Sequence, residues 1–222
     1  MSWIATALMG GLVSLDATAF PQVMISRPLV AGALTGVLFG RPLEGLAIGF
    51  LVELFSLIIL PVGAATYPDS GTATVAATSA YLAATPPGLS GGSLLLVLVF
   101  ALFWERLGGA TVVLQRRSNG RLLAEQGSLN ARQLERRHLT AMLLDVARGA
   151  VMAMTGGVLG YWLLRILAPL WTLPEQVTLA VLGIVAAGML GTGVPLFGVG
   201  RQSRFALAAG IVVGVLLVVV AR

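Results

Sequence analysis

Long apolar segments with almost no charge most constrain what this chain can fold into. Charged residues make up 10% of its 222 residues and hydrophobic residues 57%, whereas soluble domains average roughly 25% charged residues. So few charges would not solvate the surface of a soluble protein of this size, but lipid solvates apolar faces without charge. The sequence therefore predicts an all-α, polytopic transmembrane protein that forms one domain over residues 1–222.

Several of the apolar segments are shorter than the roughly 20 residues that a membrane-spanning helix needs. The first, second and fourth are short and rich in small residues, and prolines and glycines break the chain at 61–71 (PVGAATYPDSG). Such segments are tolerated at membrane depth where they are buried in protein or line a cavity. We therefore expect re-entrant or discontinuous helices, as in transporters, with interfacial helices as the alternative. The segments lie near 3–15, 29–40, 43–60, 72–85, 91–114, 139–170, 177–199 and 204–221.

Every lysine or arginine position in this chain is an arginine, and the distribution of these arginines predicts the membrane topology. The net charge is +5, and the one long polar stretch, residues 115–138, holds six arginines against Glu125 and Glu135. The positive-inside rule makes this stretch a cytoplasmic loop, which is either a topogenic loop or a docking site for a soluble partner. The basic charge therefore indicates membrane topology and not nucleic-acid binding. Residues 2–15 lack a basic start and a cleavage site, so we expect them to stay in the mature protein.

Several classes of chemistry have no residues to support them. There is no cysteine, and His138 is the single histidine, which excludes thiolate chemistry and His-rich metal sites. No phosphate-binding Gly-Lys-Ser/Thr loop and no nucleophile–base pair is recognisable. We therefore expect no metal, no cofactor and no catalysis by this chain alone.

Carboxylates inside the apolar segments are candidate functional residues, because ionisable groups are costly in a membrane. Glu53 lies in the middle of GLAIGFLVELFSLIIL, where it either binds a solute or pairs with an arginine of another segment. Asp69 ends the 61–71 break. It can accept hydrogen bonds from a polar solute, cap a helix that begins near Thr72, or do both.

Two further pairs of opposite charge flank or enter these segments. Asp16 ends the first segment and Arg27 begins the second, so the two either pair with each other or mark the membrane interface. Asp145 and Arg148 lie three residues apart on a predicted helix, and this spacing predicts a local ion pair.

Glycines at GxxxG spacing occur in two neighbouring segments. They are Gly32 with Gly36, and Gly45 with Gly49. Pairs of this kind let two helices approach closely in lipid, so we expect tight packing there without any implication for the substrate.

Three motifs in succession carry a family resemblance. SRPLVAGALTGVLFG at 26–40, GLAIGFLVELFSL at 45–57 and PVGAATYPDSGTATV at 61–75 resemble, in order and spacing, the first half of the IIC membrane subunits of mannose/fructose/sorbose-type phosphotransferase systems. LLDVARGAVMA at 143–153 is similar to a later helix of that family, with an arginine in the matching place.

The resemblance implies a sugar-translocating subunit of the bacterial inner membrane. Such a subunit binds a hexose together with a IID membrane subunit, in a higher oligomer, and moves it inward by an elevator-like motion. Soluble IIA and IIB proteins then supply the phosphate, which a IIB histidine carries. The resemblance also makes Glu53 and Asp69 substrate-binding carboxylates, with the backbone of Gly63 and Ala64 beside them.

One departure from the family pattern keeps other functions open. Pro61 replaces an asparagine of many family members, and Gln22 is expected to restore a polar contact. Without such a contact, the chain would be a transport-idle regulatory or scaffold subunit whose arginine-rich stretch recruits phosphotransferase proteins. A third hypothesis is an ion- or proton-coupled carrier in which Glu53 titrates.

Overall fold

The computed structural model describes residues 3–57, 68–124 and 130–193. The secondary-structure elements in these ranges are helices. No strand occurs within these ranges, so the all-α prediction is confirmed. The predicted segment at 204–221 lies outside the described residues. The helices are α1 (Trp3–Thr18), α2 (Pro28–Leu38), α3 (Pro42–Ser56), α4 (Ser70–Ala84), α5 (Gly91–Ala124), α6 (Ala131–Leu167) and α7 (Glu175–Gly193), with a short 3-10 helix at Ala168–Leu170.

Two lengths of helix coexist in this fold. Of the described helices, α5 and α6 are the two that are long and apolar enough to cross a membrane. The first four have only 16, 11, 15 and 15 residues, short of the roughly 20 that a full span requires. The predicted combination of complete spans with short helices is therefore confirmed.

The small-residue helix α4 forms the centre of the bundle. Each of its residues from Gly71 to Leu82 is buried, and α1, α2, α3, α5 and α6 all pack against it. Alanine, serine, threonine and glycine leave room for neighbouring backbones, which is how helices pack in lipid. Hydroxyls bond within the bundle, as between Thr6 Oγ1 and Ser79 Oγ at 3.0 Å. Helix α4 can therefore lie at the centre without carrying large apolar side chains.

Glycines bring α2 and α3 into backbone contact. A Cβ atom added to Gly32 would lie 2.7 Å from the Cα of Gly49, and one added to Gly45 would lie 2.6 Å from the Cα of Gly36. The close approach predicted from the GxxxG spacing is confirmed, and these two helices form a tight hairpin.

The arginine-rich stretch at 115–138 is mostly helical, which differs from the predicted loop. Helix α5 continues to Ala124 and α6 begins at Ala131. Asn130 and Gln133 form a capping box, in which the Gln133 N–H donates to Asn130 Oδ1 at 2.8 Å. Arginine, leucine, alanine and glutamine are good helix formers. The change in polarity therefore ends the apolar run without ending the helix.

Candidate functional site

A cavity of about 230 Å³ with charged, hydroxyl and apolar groups in its wall lies where the end of α1, the segment before α2 and the beginning of α4 meet α5 and α6. Its wall includes Thr18, Ser26, Arg27, Asp69 and Arg148. Sites for drug-sized ligands span roughly 300–1,000 Å³, so this volume suits a smaller polar solute.

Asp69 forms one wall of the cavity and also begins α4. Its Oδ1 accepts a hydrogen bond from the Thr72 N–H, so the helix cap, one of the roles that the sequence left open for Asp69, is present. Its Oδ2 lies 2.7 Å from Arg148 Nη1. Its own backbone N–H donates to the carbonyl oxygen of Glu105 at 3.0 Å. Three elements therefore fix the position of this carboxylate.

The guanidinium of Arg148 is the centre of the polar network. Besides Asp69, it donates to Thr111 Oγ1 at 3.2 Å and to Ser14 Oγ at 2.6 Å. Its Nε lies 3.4 Å from Asp145 Oδ1, so the local pair expected from the three-residue spacing is present. The shorter contact, however, is the one with Asp69, which comes from a different helix. One arginine thus joins α1, α4, α5 and α6.

Asp145 extends this network toward α1. Its carbonyl oxygen accepts a hydrogen bond from Ser14 Oγ at 3.0 Å, and its Oδ2 accepts one from Thr18 Oγ1. The serine hydroxyl therefore donates to Asp145 while it accepts from Arg148. These bonds hold the end of α1 against α6 at the cavity.

Asp16 organises the segment between α1 and α2. Its two oxygens accept hydrogen bonds from the backbone N–H groups of Val23 and Ser26, at 2.7 and 2.9 Å. The sequence left open a pair between Asp16 and Arg27, but the ion pair that the described residues show for Arg27 is with Glu53. The chain folds back after α1, so backbone donors reach Asp16 before the arginine does. Asp16 thereby holds Ser26 at the cavity wall.

Glu53 does not line the cavity, but its side chain contacts Arg27, which does. Its Oε1 pairs with Arg27, and its Oε2 accepts from the Leu29 N–H at 3.2 Å. A carboxylate in this position is favourable, because the first turn of a helix has unpaired N–H groups and a partial positive charge. Of the two roles that the sequence left open, the structure shows the pairing with an arginine of another segment.

The remaining predicted site residues lie elsewhere. Gln22 is exposed and is not part of the cavity wall. Gly63 and Ala64 lie outside the described residues. Their proposed roles therefore stay predictions.

The predictions from sequence did not include the hydroxyl side chains that take part in the polar network, nor the buried side chain of Glu105. Ser14, Thr18 and Thr111 carry no signal that separates them from the many other hydroxyls in the apolar segments. Glu105 did carry a signal, as an ionisable residue within the segment 91–114. It is 1% exposed, and its Oε2 has no hydrogen-bond partner among the described residues. Its backbone contact with Asp69 places it directly behind the cavity wall.

The sequence matches the family model described as PTS system sorbose-specific IIC component over residues 1–160. None of the curated proteins matches the chain. The structure is similar to one titled only as a membrane protein, with a TM-score of 0.65 and 21% identity over 99% of this chain and 92% of that one.

A second similar structure is that of the mannose transporter ManYZ in complex with microcin E492. Its TM-score is 0.60 and its identity 16%, over 99% of this chain and 94% of that one. At such identities the two structural likenesses show the fold alone.

Proposed function

Since the chain belongs to the family of PTS system sorbose-specific IIC components, we propose that it binds a hexose and moves it inward across the bacterial inner membrane for phosphorylation by IIB. Membership makes the chain a transporter subunit of the sorbose/mannose type. The proposal adds the solute, the direction and the source of the phosphate.

The observation that carries the proposal is the pairing of the buried side chains of Asp69 and Arg148 in the wall of the cavity. Their side chains are 4% and 8% exposed. A sugar hydroxyl both donates and accepts hydrogen bonds, so a carboxylate beside a guanidinium offers it both kinds of partner. Charge-assisted hydrogen bonds are about twice as strong as neutral ones, and they gain further where water is excluded.

Both groups retain capacity for a ligand. A guanidinium has five N–H donors, and Arg148 uses four of them on Asp69, Thr111, Ser14 and Asp145 among the described residues. The donor that remains is on Nη2. A carboxylate has about four acceptor positions, and Asp69 uses two. A hydroxyl at this corner of the cavity would therefore complete the network without breaking it.

Glu53 supports the site by holding its rim. Arg27 lines the cavity and is 45% exposed, so its guanidinium can reach a second hydroxyl of the solute while Glu53 restrains it. We propose that the Gly63 and Ala64 backbone supplies the remaining contacts, as the resemblance implies.

The proposed partners are those that the family resemblance implies. Within these 222 residues there is a single histidine, in a polar stretch, and no recognisable phosphate-binding loop. We propose that a IID subunit completes the membrane complex in a higher oligomer, and that IIA and IIB deliver the phosphate.

Hexose binding to the purified chain, alone and with its IID partner, tests the proposal. Radiolabelled mannose, fructose and sorbose should include one that binds saturably, with an affinity at least tenfold lower in Asp69→Asn and in Glu53→Gln. Glu44→Gln is the matched control, because Glu44 also pairs with an arginine, Arg41, but does not line the cavity. It should bind as the wild type does.

Two results would contradict the proposal. One is a folded complex that binds no hexose, which favours a regulatory or scaffold subunit of the same fold. The other is equal loss of binding in Glu44→Gln, which would mean that the carboxylates act on stability and not on the ligand.

A further inference from the structure

The polar ends of α5 and α6 form a strongly basic surface that the transport site does not use. We call residues 115–124 and 130–138 the basic hairpin. Over the stretch 115–138, six arginines stand against two glutamates, a net charge of +4. The arginines are Arg116, Arg117, Arg121, Arg132, Arg136 and Arg137.

Both arms of the hairpin lie on the same side of the membrane. Six residues, 125–130, separate the end of α5 at Ala124 from the start of α6 at Ala131. Even a fully extended chain between these two helix ends spans no more than about 25 Å, whereas the hydrocarbon core is about 30 Å thick. The two arms therefore leave the membrane together.

The arginines lie at the depth of lipid headgroups. The apolar run of α5 ends at Leu114, and that of α6 begins at Leu139. At about 1.5 Å of rise per residue, Arg117 and Arg136 each lie about 4.5 Å beyond these leucines. The headgroup layer extends roughly 5–7 Å beyond the hydrocarbon core. Arg121 and Arg132 lie one turn further out, within reach of a long side chain.

The exposure of the arginines, and the exposed leucines beside them, favour a lipid bilayer over a protein as the binding partner of the basic hairpin. Arg117, Arg121, Arg132 and Arg136 are exposed. Exposed leucines flank or interrupt the arginines, namely Leu114 at 62%, Leu134 at 51% and Leu139 at 51%. A lipid surface offers acyl chains to the leucines and phosphates to the guanidinium groups at adjacent depths. An acidic protein surface would leave the leucines without a partner.

We propose that the basic hairpin binds the headgroups of anionic phospholipids. A guanidinium matches a phosphate with two parallel hydrogen bonds, and several arginines near one leaflet add their attractions. The binding would restrain the ends of α5 and α6, the helices that carry Thr111 and Arg148. The proposal does not rest on hexose binding.

Native mass spectrometry of the purified full chain tests it, with phosphatidylglycerol as the probe and phosphatidylcholine as the reference lipid. Phosphatidylglycerol should be retained preferentially. Each arginine near a membrane surface contributes about 1 kcal/mol, or about a fivefold change in affinity. Arg117→Gln should therefore bind about fivefold more weakly. The quadruple variant R117Q/R121Q/R132Q/R136Q should lose the preference.

Two controls separate charge from other effects. Arg165→Gln removes an exposed arginine near the other end of α6, and it should bind as the wild type does. Lysine at the same four positions keeps the charge but loses the two parallel hydrogen bonds, so this variant should bind phosphatidylglycerol more weakly than the wild type and more tightly than the quadruple glutamine variant.

Several outcomes would overturn the proposal. They are equal retention of the two lipids and unchanged phosphatidylglycerol binding in the quadruple glutamine variant. An acidic soluble protein that the wild type captures and the quadruple variant does not, with lipid retention unchanged, would assign the surface to a protein partner.

Discussion

At the scale of single residues, the site depends on one buried cation held between two carboxylates. Arg148 contacts Asp69 on α4 and Asp145 on its own helix, and both carboxylates are buried. A buried ion pair gains little over an apolar replacement, because desolvation offsets the attraction, but removing one partner leaves an uncompensated charge. The arrangement therefore adds little to stability, but it holds Arg148 and Asp69 in fixed positions where a ligand can contact both.

Arg148→Gln should lower the free energy of unfolding by about 3–5 kcal/mol, because Asp69 and Asp145 would lose the cation between them. Asp69→Asn alone should cost less, since an asparagine still caps α4. Thermal unfolding of the purified variants measures both.

The double variant Arg148→Gln/Asp69→Asn tests the pairing itself. It should be less destabilised than the sum of the single variants, by about 0.5–3 kcal/mol. Strict additivity would show that the two side chains do not interact.

At the scale of helices, backbone contact and one arginine hold the α2–α3 hairpin in place. Glycine alone allows the approach of α2 to α3, because a Cβ on Gly49 would lie 2.5 Å from the carbonyl oxygen of Pro28. At the turn between them, Arg41 donates to the carbonyl oxygens of Leu82, Thr85 and Pro86 at 2.8–3.0 Å. The hairpin is therefore tied to the end of α4 at one end and to the cavity rim at the other.

Gly49→Ala should destabilise the protein by about 1–3 kcal/mol, because the added methyl group overpacks a backbone contact that cannot yield easily. Gly188→Ala on α7 is the matched control, since its added Cβ meets nothing within 4 Å. It should leave stability unchanged or raise it by up to about 1 kcal/mol through helix propensity. Equal effects in thermal unfolding would mean that the contact between α2 and α3 contributes nothing.

Arg41→Lys should be nearly as harmful as Arg41→Gln, with a loss of about 1.5–3 kcal/mol. A lysine ammonium is a point charge and cannot span several carbonyl oxygens as a planar guanidinium does. Unfolding temperatures of the two variants, compared with that of Arg165→Gln at an exposed position, provide the measurement. Full stability of Arg41→Lys would show that only the charge matters.

At the scale of the whole molecule, the cavity joins parts of the chain that are distant in sequence. Its wall combines the end of α1, the segment before α2, the beginning of α4, and residues of α5 and α6. A solute bound there would connect all of them. Binding should therefore be visible in global stability.

A hexose that binds at this cavity should stabilise the wild type by about 2.7 kcal/mol at a concentration one hundred times its Kd. Asp69→Asn should be stabilised by no more than about 1.4 kcal/mol at the same concentration, because it loses one of the two charged partners and its affinity is expected to be at least tenfold lower. Unfolding temperatures with and without sugar provide the measurement. A shift of equal size in both proteins would place the sugar elsewhere.

The sequence by itself determined the features that depend on local composition and spacing. Scarce charge predicted helices in a membrane, the Pro-Asp-Ser-Gly turn offered the Asp69 cap as one of its roles, and GxxxG spacing predicted close helix packing at these glycines. The interval between Asp145 and Arg148 predicted their local pair. Each of these follows from a few adjacent residues, because a helix's period and its ends depend on local interactions.

Only the tertiary structure decided which charged groups meet across the chain. The pairs between Arg148 and Asp69 and between Arg27 and Glu53, and the burial of Glu105 behind Asp69, depend on which helices pack together and at what depth. Neither property is encoded in the spacing of residues along one segment. The lengths of α5 and α6 were likewise not predicted. The polarity of residues 115–138 indicates where the membrane ends, whereas helix propensity decides where each helix ends. The site therefore exists only once distant helices have packed, because a buried charge takes whichever partner the fold brings to it.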